Sequence, residues 1–130
     1  MKIHQHILTC VNTFVQYGAV AALMDSQESV GKMVNEFDRR RLLILSYLDK
    51  MSIPYVRPRG AFYVFPNITQ FGFVSEKFCD FLLDEARVAV VPGNAFGQGG
   101  EGYIRIADTV SYEVIEEGME RFKKAVQKLQ

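Results

Sequence analysis

The chain has 130 residues, of which 48% are hydrophobic, so it is long enough to bury a core and too apolar to be disordered throughout. Its 15 Lys and Arg balance its 15 Asp and Glu, and this zero net charge disfavours a dedicated nucleic-acid-binding module. We expect one domain, or one domain with an arm, and the chain is too short for most cofactor enzymes built from several parts.

The first part of the chain is apolar and nearly uncharged. Its apolar run over residues 7–24 is interrupted by polar or small residues: Asn12, Thr13, Gln16 and Gly18. Charged residues become frequent after Asp25. This change in composition divides the chain into an arm, residues 1–26, and a globular part, residues 27–130.

The polar and small residues that interrupt the apolar run also bear on membrane insertion and secretion. A membrane span needs about 20 consecutive apolar residues, and a secretory leader needs a basic start, so we expect neither. Cys10 and Cys79 have no motif spacing and agree with a reducing compartment. The sequence therefore predicts a cytoplasmic protein without membrane contact.

Two helices are predicted before the first strand. Residues 13–24 are mostly helix formers and are apolar on nearly all faces, which is typical of a helix buried on several sides. Asp25 followed by Glu28 fits a capping box and predicts the start of a long amphipathic helix over residues 27–51. The apolar residues of that helix recur at helical spacing: Val30, Met33, Val34, Phe37, Leu42, Leu45, Leu48 and Met51.

Two strands are predicted after the long helix. Pro54 ends the helical pattern, and Tyr55-Val56-Arg57 is a short strand candidate. Residues 61–65 are aromatic or β-branched and form a stronger candidate. The two segments could pair as a hairpin through Pro58-Arg59-Gly60.

A helix, two strands and a last helix complete the pattern. Ser75 is a candidate N-cap, and its helix has the apolar stripe Phe78, Phe81, Leu82 and Ala86. Strands are predicted over residues 88–91 and 103–107, joined by a glycine-rich loop over 93–102 that we expect to be flexible. Ser111 caps a helix with the apolar face Ile115, Met119, Phe122, Val126 and Leu129. The order predicts an α/β two-layer sandwich: a small sheet of about four strands with helices packed on it, after one long helix.

Three local motifs are weak evidence for chemistry. Residues 97–102 match the letters of a dinucleotide-binding GxGxxG motif, but that motif needs a following helix, and here a strand is predicted to follow. His4 and His6 lack a third ligand nearby, so we expect no metal site. Arg39-Arg40-Arg41 lies within an amphipathic helix and is interpreted as a solvated face.

Arg105 is a better candidate. It is the only charged residue of its predicted strand, and Ile104 and Ile106 beside it should point to the opposite face. An arginine held on a strand next to a glycine-rich loop can bind both oxygens of a carboxylate. The pattern alone leaves two interpretations open, a carboxylate clamp and the more common rim arginine or structural salt bridge.

Four segments taken together resemble a known family. They are Pro58-Arg59-Gly60-Ala61-Phe62-Tyr63-Val64-Phe65, Val88-Ala89-Val90-Val91-Pro92-Gly93-Asn94-Ala95-Phe96-Gly97, Gly102-Tyr103-Ile104-Arg105-Ile106 and, near the N-terminus, Thr9-Cys10-Val11-Asn12-Thr13-Phe14-Val15-Gln16. The first three, in this order, resemble the C-terminal part of the class I/II aminotransferases, pyridoxal-phosphate (PLP) enzymes of the aspartate aminotransferase fold. The segment near the N-terminus is similar to the stretch that follows the cofactor-binding half in that family. The resemblance covers essentially the whole chain.

The resemblance implies roles for three residues. Arg105 falls on the family arginine that binds the substrate α-carboxylate. Phe62 falls near the substrate pocket, and lining that pocket and packing in the core are equally open for its ring. Thr9 falls where relatives place a hydroxyl near the cofactor phosphate of the neighbouring subunit. The segment Ala107-Asp108-Thr109-Val110-Ser111 departs from the family pattern after the arginine, which leaves the substrate class open.

The resemblance also implies what this sequence lacks. The family's Schiff-base lysine, the acid facing the pyridine nitrogen and the stacked aromatic ring belong to a large domain upstream of this segment. No lysine here has the family's sequence context, so we expect no catalytic residue in the chain, no bound PLP and no activity of the isolated chain. In the parent enzyme, an amino group would pass from an L-amino acid to a 2-oxo acid.

The resemblance assigns the arm, residues 1–26, to the interdomain or large-domain side of the parent. Its apolar faces then lack their cover, so we expect a homo-oligomer. Two other functions stay open. One is a stand-alone binding or interaction domain that keeps the scaffold without the reaction. The other is a fragment of a related PLP enzyme, such as a carbon–sulfur lyase or a cyclase.

Overall fold

The computed structural model describes residues 10–129. The chain forms two compact units, which meet in sequence between Met33 and Val34. Every helix in the described part of the chain is too short or too polar to span a bilayer.

The first unit contains helix α1, Thr13–Met24, and the first residues of helix α2, Glu28–Lys50. The bounds of α1 are those predicted from the sequence, but none of its residues is buried. Its large apolar side chains are strongly exposed, with Phe14 and Tyr17 at 74% and Leu23 at 80%. Helix α1 therefore presents an exposed apolar surface, and the predicted burial on several sides is not observed.

The start of α2 differs from the predicted capping box. The N–H of Asp25 donates to the carbonyl of Ala21 at 2.9 Å, so Asp25 ends α1. The hydroxyl of Ser26 accepts from the N–H of Glu28 at 3.3 Å and takes the capping role. Asp25 was the wrong residue because its backbone serves the preceding helix.

The second unit is built on a three-stranded antiparallel sheet with the order β1-β3-β2. The strands are β1, Tyr63–Val64, β2, Val91–Pro92, and β3, Ile104–Ala107. Central β3 pairs Ile106 with Val64 and Arg105 with Val91.

Of the four strands predicted from the sequence, the one over residues 55–57 is observed only as an isolated bridge between Tyr55 and Pro66. The nearby prolines, Pro54, Pro58 and Pro66, have no N–H to donate, so a ladder cannot extend there.

Two helices cover this sheet, α3, Ser75–Ala86, and α4, Tyr112–Gln127. The rings of Phe78 and Phe122 meet edge to face at 6.2 Å, where the two helices pack. The buried core joins both helices, α2 and the sheet: Ile44, Leu45, Leu48, Val64, Ile68, Phe78, Leu82, Ile104, Ile106, Ile115, Met119, Phe122, Ala125 and Val126 among others. The predicted stripes of α3 and α4 thus form the core, with Phe81 and Leu129 only half-buried.

The two predicted N-caps have different outcomes. Ser111 caps α4, because its side chain accepts from the N–H of Val114 at 3.4 Å. Ser75 is instead the first residue of α3 and is fully buried. Its hydroxyl donates to the distant carboxylate of Glu101.

The arginine run on α2 is not uniformly solvated as predicted. Only 19% of the Arg40 side chain and 17% of the Arg41 side chain are exposed. Arg41 donates to the carbonyl of Pro58 at 3.1 Å, which ties α2 to the segment before β1. Hydrogen bonds from Arg39, which has the larger effect, and from Arg40 lower the pKa of Glu36 to about 2. The run is a network of intrahelical ion pairs with two arginines partly covered.

Candidate functional site

The alternation of β3 decides which way Arg105 points. Ile104 and Ile106 are buried in the core, whereas Arg105 between them is half-buried. Successive side chains of a strand point to opposite faces, so Arg105 projects from the face opposite the core. The structure confirms the alternation predicted from the sequence.

The guanidinium group of Arg105 lies between two aromatic rings. Its central carbon is 4.4 Å from the ring centroid of Tyr63 and 4.6 Å from that of Phe96. Such cation–π contacts orient the plane of a guanidinium without using its N–H donors. The ring of Phe65 meets that of Phe96 edge to face at 5.5 Å and supports it.

Among the described residues, no carboxylate pairs with this guanidinium. Its Nε is buried and has no hydrogen-bond partner within that part of the chain. Buried donors are rarely left without a partner, so this Nε–H calls for an acceptor from outside the described residues.

The loop before β3 has a defined conformation. A Cβ on Gly93 would collide with the carbonyl oxygens of Gly100 and Tyr103, the latter at 2.6 Å. The Gly93 N–H donates to the Tyr103 carbonyl at 2.8 Å, and Gly102 has a φ of +81°. Two short 3₁₀ turns are followed by β3, so the loop lacks the following α-helix that a dinucleotide-binding motif needs.

Phe62 lies beside the site rather than against Arg105. Its side chain is 42% exposed, and its ring contacts those of Phe37 at 6.0 Å and Tyr63 at 4.6 Å. It reaches the guanidinium only through Tyr63. Thr9, His4 and His6 lie outside the described residues. Among residues 10–129, no group of three potential metal ligands comes together.

Tyr63 and Phe96 are the site residues that the sequence did not reveal. Tyr63 approaches Arg105 because β1 pairs with β3, a contact set by register. Phe96 approaches because the glycine loop folds back. Both residues stand in segments that carry the family resemblance, and Tyr63 also in a predicted aromatic strand, but no signal placed either of them beside Arg105.

Asp108 is a buried acid directly after β3. Its side chain is 2% exposed, and its Oδ1 has no hydrogen-bond partner among the described residues. Burial raises the pKa of this carboxyl, against the opposing charges of Arg40 and Arg41. The Asp108 N–H donates to the carbonyl of Phe62 at 3.2 Å and so holds the end of β3 to the segment before β1.

Asp108→Asn is expected to stabilise the fold at neutral pH by about 1 kcal/mol, because it removes an incompletely satisfied buried charge. The folded-state pKa of Asp108 lies above the ordinary value of 3.8. The wild-type protein therefore loses stability as the pH rises from 3.8 through the raised pKa, because the buried carboxyl must ionise. Urea unfolding at pH 7 and pH 3 measures the difference, which should shrink at the lower pH.

Exposed Asp84 provides the matched control, since Asp84→Asn should change stability by less than about 0.5 kcal/mol. A loss of stability in Asp108→Asn at pH 7 would mean that the two arginines outweigh burial.

A groove of about 400 Å³ in the second unit lies elsewhere. It runs beside Val88, Val90, Val114 and Arg121, and Arg105 is not among its lining residues.

Comparisons with known proteins identify the family. The family model described as "Aminotransferase class I and II" matches residues 1–122. The chain belongs to the class I and II aminotransferases. This confirms the resemblance found in the sequence, and the match lies in the C-terminal part of longer relatives.

Relatives and solved structures of this aminotransferase segment agree. It is 47% identical to an aspartate aminotransferase of Pyrococcus abyssi over 97% of this chain and 33% of that protein. It is 44% identical to aromatic-amino-acid aminotransferase 2 of Thermococcus litoralis, with the same coverage. An aromatic aminotransferase structure from Pyrococcus horikoshii superposes with a TM-score of 0.91 at 47% identity, covering 99% of this chain and 36% of that one.

Two conclusions follow for the aminotransferase segment. Its fold is that of aspartate aminotransferase-like enzymes, which confirms the predicted α/β class. It spans about a third of the length of the curated relatives it matches.

The family implies PLP in the parent enzyme. The lysines of residues 10–129 lie on helices or at the end of one: Lys32, Lys50, Lys77, Lys123, Lys124 and Lys128. Four of them pair with carboxylates, namely Lys32, Lys77, Lys123 and Lys128, and Lys50 lies over the ring of Tyr47. None adjoins Arg105. The residues described do not fit the cofactor, so no reaction step is assigned to them.

Proposed function

We propose that this aminotransferase segment is the small C-terminal domain of a PLP-dependent transaminase, in which Arg105 binds the α-carboxylate of the substrate. The complete protein would transfer an amino group from an L-amino acid to a 2-oxo acid. PLP and the lysine that holds it would belong to a separate large domain. This segment contributes recognition of the substrate rather than the chemical step.

One observation carries the proposal. The Arg105 guanidinium is held between Tyr63 and Phe96, and within residues 10–129 no carboxylate pairs with it. The alternative of a structural salt bridge would require such a partner. A planar guanidinium fixed by stacking retains its donors for a planar anion, which it binds through two parallel hydrogen bonds.

An expected result follows for the 130-residue chain by itself. Incubated with PLP, it should show no stoichiometric internal-aldimine absorbance and no stoichiometric adduct after borohydride reduction, because its described lysines lie on helix surfaces. Absorbance spectroscopy and intact-mass analysis measure both. Substoichiometric labelling spread over several lysines would agree with the proposal, whereas one adduct per chain on one lysine would contradict it.

The arm, residues 1–26, is proposed to belong to the interdomain or large-domain side of the parent. Helix α1 offers no buried residue, and Phe14, Tyr17, Leu23 and Met24 are each at least 74% exposed. Soluble monomers rarely leave contiguous apolar surfaces of this kind uncovered. The large domain of the parent is the cover that the family implies.

The chain alone is expected to self-associate through α1. Light scattering after size exclusion should give a mass above that of one 14.8 kDa chain at micromolar concentrations. Phe14→Glu combined with Leu23→Glu should shift the mass toward the monomer, while Lys77→Glu, on exposed α3 surface, should not. A clean wild-type monomer over a wide concentration range would contradict this expectation.

A further inference from the structure

The glycine-rich loop that carries Phe96 is attached to helix α3 by a carboxylate. Both oxygens of Glu101 accept hydrogen bonds from Ser75, one from its N–H at 2.8 Å and the other from its hydroxyl at 2.9 Å. The first of these oxygens also accepts from the N–H of Gly102 at 3.1 Å. Ser75 is fully buried, so its two donors depend on Glu101 for their partners.

The other end of the loop is attached to the same turn of α3. The side-chain amide of Asn94 donates to the carboxylate of Glu76 at 3.0 Å. Asn94 and Glu101 thus hold the two ends of the loop to the consecutive residues Ser75 and Glu76. The close approach of Gly93 and Gly100 closes the loop between these attachments.

Phe96 lies within this closed segment and has little else to fix it. Its side chain is 51% exposed, and its aromatic contacts are with Phe65 and the Arg105 guanidinium. Gly97, with a φ of +111°, turns the backbone immediately after it. In a loop released from α3, only these two contacts would hold the ring, which now lies 4.6 Å from the guanidinium carbon.

We propose that Glu101 is a positioning residue of the Arg105 site: its hydrogen bonds to Ser75 fix the loop so that Phe96 lies on the guanidinium. This rests on the proposed carboxylate-binding function of Arg105. Glu101 touches neither the guanidinium nor its ligand and acts through the ring of Phe96. A helix cap supplied from 26 residues away thereby sets the geometry of the carboxylate site.

The test follows the Arg105 side-chain protons by NMR in the 130-residue chain. A ring stacked on the guanidinium shifts these protons upfield, and Phe96→Leu measures the full contribution of that ring. Glu101→Ala is expected to remove at least half of this contribution, and Glu101→Gln, which keeps one acceptor oxygen, a smaller part. Glu116→Ala, an exposed acid on α4, should leave the shift unchanged.

Thermal unfolding of each variant separates positioning from stability. If Glu101 only caps α3, its variants lower Tm but leave the Arg105 shift at the wild-type value, and the proposal is overturned. If Glu101→Ala does not fold, the comparison of Glu101→Gln with Phe96→Leu decides in the same way. The shift is read without any ligand, so it stands apart from whether Arg105 binds a carboxylate at all.

Discussion

Arg105→Ala is expected to weaken binding of pyruvate, the probe for a 2-oxo acid, by about tenfold or more. A charge-assisted hydrogen bond contributes about 1.5–3 kcal/mol, and the guanidinium has no competing partner among the described residues. Arg105→Lys should recover only part of this affinity, because an ammonium lacks the planar fork and the stacking on Tyr63 and Phe96. Backbone amide shifts of β3, followed during titration at constant ionic strength, give the dissociation constants.

Arg121→Ala is the matched control. Arg121 lies on α4 and pairs with Glu117, so its removal deletes the same charge at a distance from the site. It should leave pyruvate binding within about twofold of wild type, since surface charges beyond a Debye length are screened. Equal losses of affinity in the Arg105 and Arg121 variants would show that pyruvate binding depends on the overall charge of the chain rather than on a specific site at Arg105.

Gly93→Ala is expected to destabilise the fold by about 3 kcal/mol. Its Cβ would meet backbone oxygens of Gly100 and Tyr103, which cannot move as the tip of a side chain can. The shift would also disturb the hydrogen bond from the Gly93 N–H to Tyr103, beside the pairing of β2 with β3. Urea unfolding monitored by circular dichroism measures the loss.

Gly99→Ala in the same loop is the control, because its Cβ would enter open space. Its stability should change by less than about 1 kcal/mol, and a small gain is expected from a less flexible unfolded chain. Similar small effects for Gly93→Ala and Gly99→Ala would contradict the close backbone crossing. A Gly93→Ala protein that folds with Phe96 displaced from Arg105 would instead agree with the close backbone crossing.

The helices were predictable because their signals are local. A run of helix-forming residues predicted the observed bounds of α1, and the 3.6-residue periodicity predicted α2 to within one residue at each end. Capping was less reliable, since Asp25 and Ser75 each had a competing partner elsewhere. Ser111 had none and caps α4 as predicted.

The strands and the site depended on contacts between distant parts of the chain. Strands of two to four residues carry little pattern, and prolines reduced the segment at Tyr55 to one bridge. Arg105 was identifiable because alternation along one strand places it. Tyr63 and Phe96 were not, because strand register and the backbone crossing of the glycine loop bring them to the guanidinium.

The partly covered arginines of α2 also show that contacts between distant parts of the chain are not predictable from a local pattern. The sequence places Arg40 and Arg41 on a charged helix, and ion pairs with Glu36 and Asp38 agree with that pattern. Arg41 also donates to the carbonyl of Pro58, a contact that no helical periodicity reveals. The charge of a helix face is therefore predictable, whereas its exposure depends on the tertiary fold.

The central claim, that Arg105 is a carboxylate-binding group, is tested most directly by the NMR signal of its Nε–H. Adding pyruvate should move this signal saturably, while the neutral analogue pyruvamide at the same concentrations should leave it in place. The other arginines should respond to neither. An Arg105 signal that stays fixed, or arginine signals that all drift together without saturation, would contradict the account.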